Sequence, residues 1–464
     1  MAEPQKLADL LQDRYRLESL APVMGVSTDS REVRPGDLYL PIIGSRTDGH
    51  LYAAQAASAG AVLILASRDL AALPSGTAVA RVTDTTRELG RLARQWRQQF
   101  DLPMIGITGS NGKTTTKDMA AAMLQPDYHL LYSEQSYNST IGLPMTLLRL
   151  GHSHDLALVE MGTNQPGEIA YLADIARPTL GLVTNVSASH VALLGDEAGV
   201  AAEKGALFEA LPSDGVALVN AADSRVAAMP APGRRYTYQL FPGQLFPGQL
   251  DPEPGTDLDL AGWYVTNSGQ PRLRLEAPGL EARLSQYGQT LAQNALAAAA
   301  LALLLKVQPE QILSAIEAYQ VPAGRGRICR FGETTVIDDS YNANPASTRA
   351  GLDTLLSLPG RGRRLAVLAD MLELGPAAAG FHREIGAYAA QLGVERLFCY
   401  GPQSRATCEG ALAEGLAAGH YADMDGLVQA LRESLQEGDL VYFKGSRGMA
   451  LETAITELFG DAAC

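Results

Sequence analysis

Tryptophan is nearly absent from this chain, with 2 residues in 464, and histidine and cysteine are scarce, with 7 and 4. The cysteines, Cys329, Cys399, Cys408 and Cys464, are scattered and form no Cys-x-x-Cys pair. That spacing suggests neither a disulfide framework nor a zinc site, and it fits a reducing cytoplasm. Basic residues are also in deficit: Lys and Arg total 37 against 51 Asp and Glu, a formal net charge of −14. With no basic tail, general binding to nucleic acid or to an anionic membrane is excluded as an expectation. A local pocket for a phosphorylated ligand is not, because a few lysines and backbone amides suffice. Long apolar runs are missing as well. The most apolar stretch, Leu291 to Leu305, is interrupted by Gln293 and Asn294 and reads as a buried Ala/Leu helix, too short and polar to insert in a membrane. The N-terminal MAEPQKLADLLQDRYRLESL mixes charges from the start and carries no apolar signal core.

What the chain does have is an ordinary globular composition, 46% hydrophobic and 19% charged. At ~150 residues per domain its length suggests about three domains. Texture divides it at 1–100, 101–322 and 323–464. The first stretch holds STDSREVRPGDLYLPIIGSRTDGH, a helix-like AAQAASAGA, a strand-like AVLILAS and an amphipathic TTRELGRLARQWRQQF. The second alternates buried-type strands (MIGIT, DLALVEMG, TLGLVTNV, GVALVN) with helical patterns. The third repeats the alternation with TTVIDDS, RRLAVLADM, RLFCYG and DLVYFKGS. The expected class is α/β: a small α/β N-terminal domain, a central P-loop-type domain on a mostly parallel sheet, and a C-terminal Rossmann-like domain. One segment is odd. Residues 239–248 read QLFPG twice, and this density of proline and glycine predicts an extended surface loop from a local duplication.

The strongest motif runs Gly106-Ile107-Thr108-Gly109-Ser110-Asn111-Gly112-Lys113-Thr114-Thr115-Thr116, between a strand pattern and a helix pattern. Glycines let backbone N–H groups turn inward around phosphate oxygens, and the helix N-terminus adds partial positive charge. Lys113 would reach the β- and γ-phosphates, and the Thr114 hydroxyl would ligate Mg²⁺. The spacing departs from the strict P-loop pattern, with Ile107 six residues before the lysine.

TGSNGKTTTK resembles the ATP-binding signature of the Mur ligases, the ATP-dependent amide ligases of peptidoglycan precursor synthesis. Further segments match in order: Asn138-Ser139-Thr140-Ile141-Gly142-Leu143-Pro144, Val159-Glu160-Met161-Gly162, Thr184-Asn185-Val186 through His190, and Lys204-Gly205 with Phe208. The resemblance implies that Gly109 to Thr115 cradle ATP and that Glu160 and His190 contact metal or phosphate. It also implies that Lys204 carries a carbamate facing one of two Mg²⁺ ions. By helical periodicity alone, Lys204 is a solvent lysine. Asn294 matches an adenine-contacting asparagine, although Thr290 and Leu291 replace the His-Asn pair usual before it.

In the third region the resemblance assigns Arg325, in preference to Arg327, to the γ-phosphate. Bidentate Arg–phosphate pairing is the physical reason. Asp339 and Asn342 fall on nucleotide-contacting positions. The form DDSYNANP, with LADMLELG and KGSRGM, is similar to the branch of the family that adds D-alanyl-D-alanine to UDP-N-acetylmuramoyl-tripeptide. Asn344, Lys444, Gly445 and Ser446 are then expected at the dipeptide. In the first region Ser30, Arg31, Asp48 and His50 resemble uridine-nucleotide contacts, and Asn138 is added to that group. A monomer is expected, with hinge closure bringing Asp339 and Arg325 onto nucleotide held by Lys113. A related Mur or folylpolyglutamate-type ligase with another amine acceptor is the alternative. A P-loop switch protein would need an Asn-Lys-x-Asp motif, which is missing.

Overall fold

The computed structural model describes residues 4–44, 47–134, 137–242, 259–266 and 270–460. Three sheets organise them. A four-stranded parallel sheet runs Gly25–Ser27, Asp37–Tyr39, Leu63–Ala66, Ala78–Arg81. A nine-stranded sheet places Met104–Thr108 between Leu180–Val183 and Leu156–Glu160. It is parallel except where Arg272–Leu275 meets its two neighbours. A six-stranded sheet has only the Arg327–Phe331 and Thr334–Asp339 pair antiparallel. The strands Met104–Thr108 and Leu156–Glu160 are buried along their whole length, as near-continuous apolar runs in a helix-covered parallel sheet should be.

These sheets place the loops that matter. The phosphate loop follows Met104–Thr108, the strand from which the chain winds to both sides of the sheet, and ligands bind at such switch points. In the C-terminal sheet, Asp339 and Lys444 are register partners at the ends of adjacent parallel strands. The helix Gln289–Leu304 is apolar nearly all round and sits in one core with Met119, Ala120 and Met123 of the helix Lys113–Leu124. That packing carries Asn294 to the phosphate loop. The amphipathic helix Thr85–Arg97 is capped by Asp84 and packs on the helices Gly142–Leu147 and Glu168–Ala176 of the middle region. Trp96 donates to Leu150 O (3.1 Å) and Arg97 to Ala176 O (3.0 Å), fixing that side.

Three expectations are corrected. The duplicated segment is not all loop, because Gln239, Leu240, Phe241 and Pro242 end the strand Arg234–Pro242, paired with Leu260–Val265. Pairing with Val216–Asn220 stops at Tyr238, so this stretch is edge-like, where a proline is tolerated. The second QLFPG lies outside the described residues. Lys204 is not a solvent lysine; it is buried in the helix Glu197–Glu209 at 2% exposure. Cys399 and Cys408 are free thiols, whereas Cys329 is disulfide-bonded, against the expectation of none. No helix among the described residues is long and apolar enough to cross a membrane.

Candidate active site

A cavity of about 700 Å³ opens between the phosphate loop and the C-terminal strand ends. Its floor is the turn from Ser110 to Thr115. Gly109 at φ +146° and Gly112 at φ +81° make that turn, in a region open mainly to glycine. A Cβ on Gly109 would run into Thr184, and one on Gly112 into the Asn294 amide. The loop after Leu180–Val183 braces it: Ser110 N donates to Asn185 O (2.9 Å), Asn111 N to Asn185 Oδ1 (3.0 Å) and Thr184 Oγ1 to Asn111 O (2.6 Å). Lys113 Nζ reaches back to Gly109 O at 2.7 Å. Burial, with the nearby Arg325 charge, pushes its pKa down. Such a cation gains from an incoming phosphate.

Glu160 closes one wall at a strand end. Asn138 donates to its Oε1 at 2.7 Å, while Oε2 is buried with no hydrogen-bond partner. Its backbone N–H donates to Ser133 Oγ (3.2 Å), and the buried Lys117 holds the Ser133 carbonyl (2.6 Å). Lys204 lies behind the wall rather than on it and makes no ion pair among the described residues. Burial, then the Lys113 charge, lowers its pKa to about 7. The preceding Glu203 is occupied elsewhere, accepting from Gly167 N (2.6 Å), Ile169 N (2.8 Å) and Thr163 Oγ1 (3.1 Å), so it caps the helix Glu168–Ala176.

From the C-terminal region, Arg325 stacks on Tyr341 at 4.1 Å. Lys444 Nζ sits 2.5 Å from Asp339 Oδ2 and 2.9 Å from Asn342 O, and Tyr442 Oη donates to the same carboxylate oxygen at 3.1 Å. Asn344 caps the helix Pro345–Ser357 in a box with Ser347, and its Nδ2 donates to Asn111 Oδ1 at 2.7 Å. The phosphate loop and the C-terminal region are thus joined by one side-chain amide pair.

Family models match in three stretches: Mur ligase family, catalytic domain, over 22–97; Mur ligase middle domain over 107–302; and Mur ligase, glutamate ligase domain, over 324–447. A UDP-N-acetylmuramoyl-tripeptide--D-alanyl-D-alanine ligase of Synechocystis sp. is 36% identical over 443 residues, covering 95% of this chain and 92% of that one. The chain belongs to the Mur ligase family. A ligase of the same name from Escherichia coli is 34% identical, covering 95% and 94%. The crystal structure of MurF from Acinetobacter baumannii superposes with a TM-score of 0.85 at 28% identity, covering 97% and 98%.

In this Mur ligase the cavity gathers Ser110, Asn111, Gly112, Lys113, Thr114, Thr115, Asn138, Glu160, His190, Asn294, Arg325, Asp339, Asn342, Asn344, Lys444 and Ser446. Arg327 lines a separate pocket. Gly109 and Gly445 stand outside the lining, as do Ser30, Arg31, Asp48 and His50. Those four are held within the N-terminal region. Ser30 donates to Gln55, and Arg31 pairs with Asp29 at 2.5 Å. His50 has both ring nitrogens engaged, Nδ1 on Asp48 (2.6 Å) and Nε2 by Ser67 N (3.0 Å), and Asp48 also meets Arg68. Asn138 stands on Glu160, away from that group. Lys444 and Asp339, expected on different ligands, form one part-buried ion pair. Sequence reasoning missed Tyr341, Tyr442, Asn185 and Glu373. Asn185, Tyr341 and Glu373 carried a signal, lying inside quoted motifs, and Tyr442 lay inside a quoted strand pattern.

The amide bridge gives a separable prediction. Asn344→Ala removes cap and bridge together, whereas Asn344→Ser keeps a capping hydroxyl but cannot reach Asn111. The alanine chain should be less stable than the serine chain by ~1 kcal/mol in urea unfolding, while both raise the ATP KM about equally. Equal stabilities would refute the capping role.

Proposed function

We propose that this Mur ligase joins D-alanyl-D-alanine to UDP-N-acetylmuramoyl-tripeptide at the expense of ATP, as a cytoplasmic monomer making a peptidoglycan precursor. Residues 1–100 would hold the uridine nucleotide, 101–322 the ATP and 323–464 the dipeptide. The observation that carries the reading is one cavity walled by the phosphate loop, Glu160 and the C-terminal strand ends, in a chain 34–36% identical over nearly its full length to ligases of that name.

The tripeptide carboxylate attacks the γ-phosphorus, giving an acyl phosphate and ADP. The dipeptide amine then attacks the acyl carbon, and phosphate leaves as the amide forms. Lys113 and Arg325 neutralise the charge that builds on the transferring phosphoryl group. Asn138 and Ser133 hold Glu160 in place, and the Asn111–Asn344 bridge sets the two regions at the distance the reaction needs. Lys444, already balanced by Asp339 and held by the Asn342 carbonyl, offers the dipeptide carboxylate its one remaining donor direction.

The donor set fits Mg²⁺. Glu160 presents a buried, unsatisfied oxygen, and the Thr114 hydroxyl lines the same cavity. No group of three or more His, Cys, Asp or Glu converges among the described residues, which suits an ion completed by phosphate oxygens and water. When bound, Mg²⁺ supplies charge neutralisation at the phosphates. Lys204, buried with no ion pair among the described residues and with a lowered pKa, fits an amine that becomes a carbamate; the resulting anion would face the Lys113 charge.

The test is phosphate release with UDP-muramoyl-tripeptide, ATP, Mg²⁺ and one candidate amine at a time. Release with D-alanyl-D-alanine alone is expected. Release with glutamate or diaminopimelate instead would sink the acceptor assignment, and hydrolysis without any amine would sink the ligase reading.

A further inference from the structure

His190 follows the strand Leu180–Val183 and begins the short helix Val191–Leu194 in a left-handed backbone, φ +55°. Its Nδ1 lies 2.6 Å from Oε2 of Glu373, which belongs to the C-terminal region. Glu373 is itself left-handed, φ +65°, and its carbonyl accepts from Ala192 N at 3.1 Å. Two residues on, Gly375 packs so closely that a Cβ there would stand 3.0 Å from Ala192 Cα. The segment that presents Glu373 is tied to its own region. Met371 N donates to His382 Nε2 (3.0 Å) and Leu372 N to Ser446 Oγ (2.9 Å), and Asp370 accepts from Ser404 N (2.7 Å).

An exposed ion pair contributes little to stability, and Glu373 is 58% exposed. Two facing non-glycine residues held left-handed are therefore poorly explained by stability, and such backbones cluster at functional sites. An imidazole that binds a metal or phosphate through one nitrogen needs the other fixed, and a carboxylate is the usual partner. His190 lines the nucleotide cavity, with no hydrogen-bond partner on Nε2 among the described residues.

We propose that Glu373 is a positioning residue for His190: its carboxylate takes the Nδ1 side of the ring and leaves Nε2 for the metal or phosphate in the cavity. The inference rests on the reading of His190 as such a contact. Because Glu373 rides on the C-terminal region while His190 belongs to the ATP-binding region, the histidine is oriented only while the two are seated together. Readiness for phosphoryl transfer is thereby tied to closure.

The experiment uses the full-length chain with ¹⁵N-labelled histidine, His190 being assigned by difference from His190→Gln. Two-bond correlation spectra report which ring nitrogen carries the proton. The Nδ1–H form is expected in the unsubstituted chain, lost in Glu373→Ala and kept in Glu373→Gln, whose amide oxygen still accepts. In phosphate release, Glu373→Ala should raise the Mg²⁺ concentration for half-maximal rate by about 10–100-fold, with the dipeptide KM unchanged and a smaller effect in Glu373→Gln. An unchanged His190 signature in Glu373→Ala, or an unchanged Mg²⁺ requirement, would overturn the proposal. The spectra need no substrate, so they decide it even if the acceptor assignment fails.

Discussion

The Lys113→Met chain is expected to fold normally and to turn over about 10³-fold more slowly, the scale found when a preorganised charge on a transferring phosphoryl group is removed. The structure says why the loss should fall on turnover. Lys113 is held by the Gly109 carbonyl inside a loop braced by Thr184 and Asn185, so its ammonium is placed before substrate arrives. Burial and Arg325 make its charge costly there, a cost a phosphate anion relieves. Removing the charge should therefore leave the melting temperature equal or higher. Lys113→Arg should not rescue, because a planar guanidinium cannot take the place of a compact ammonium in that turn. Single-turnover phosphate release beside a thermal melt checks both halves, and turnover above one tenth of normal in Lys113→Met would refute the assignment.

That loop was legible in the sequence because everything it needs is local. Glycines at 109 and 112, a lysine at 113 and a helix start sit within eight residues, and the fold only confirms their order. The same holds for the buried strands and for the Ala/Leu helix, whose pattern stated its burial. What periodicity could not show is what a side chain meets across the fold. Lys204 sits at a helical position that local pattern gives to solvent, yet the helix is buried there against the central sheet. Asn344, expected at the dipeptide, lines the cavity, and its position before Pro345 also makes it the cap of the next helix, with its amide bridging to Asn111. Asp48 and His50 stand out in the sequence only as a motif, and in the fold both His50 nitrogens meet internal partners. Strand register, which sequence does not display, is what joins Asp339 to Lys444.

Lys204→Ala is expected to lose turnover on a similar scale, about 10³-fold, and, unlike Lys113→Met, to recover part of it with added formate or acetate. The amine stands 2% exposed and makes no ion pair among the described residues, and its pKa falls to about 7. An unfolded chain keeps the proton up to the ordinary lysine value of 10.5. Between pH 7 and 10.5 the unfolded state therefore binds more protons, so the unmodified chain gains stability as pH rises through that window and bears the full penalty below it. Lys204→Met should flatten that slope, which urea midpoints at pH 6.5 and 9 would read. Above pH 7 the neutral amine can add to carbon dioxide, releasing one proton and leaving a carbamate anion beside Lys113. Depleting carbon dioxide at pH 8 should then lower the activity of the unsubstituted chain, and bicarbonate should restore it. A small carboxylate diffusing into the space left by Lys204→Ala supplies the same two oxygens, which is why rescue is specific to this position. Full activity in Lys204→Ala, or no rescue at any carboxylate concentration, would rule the carbamate out.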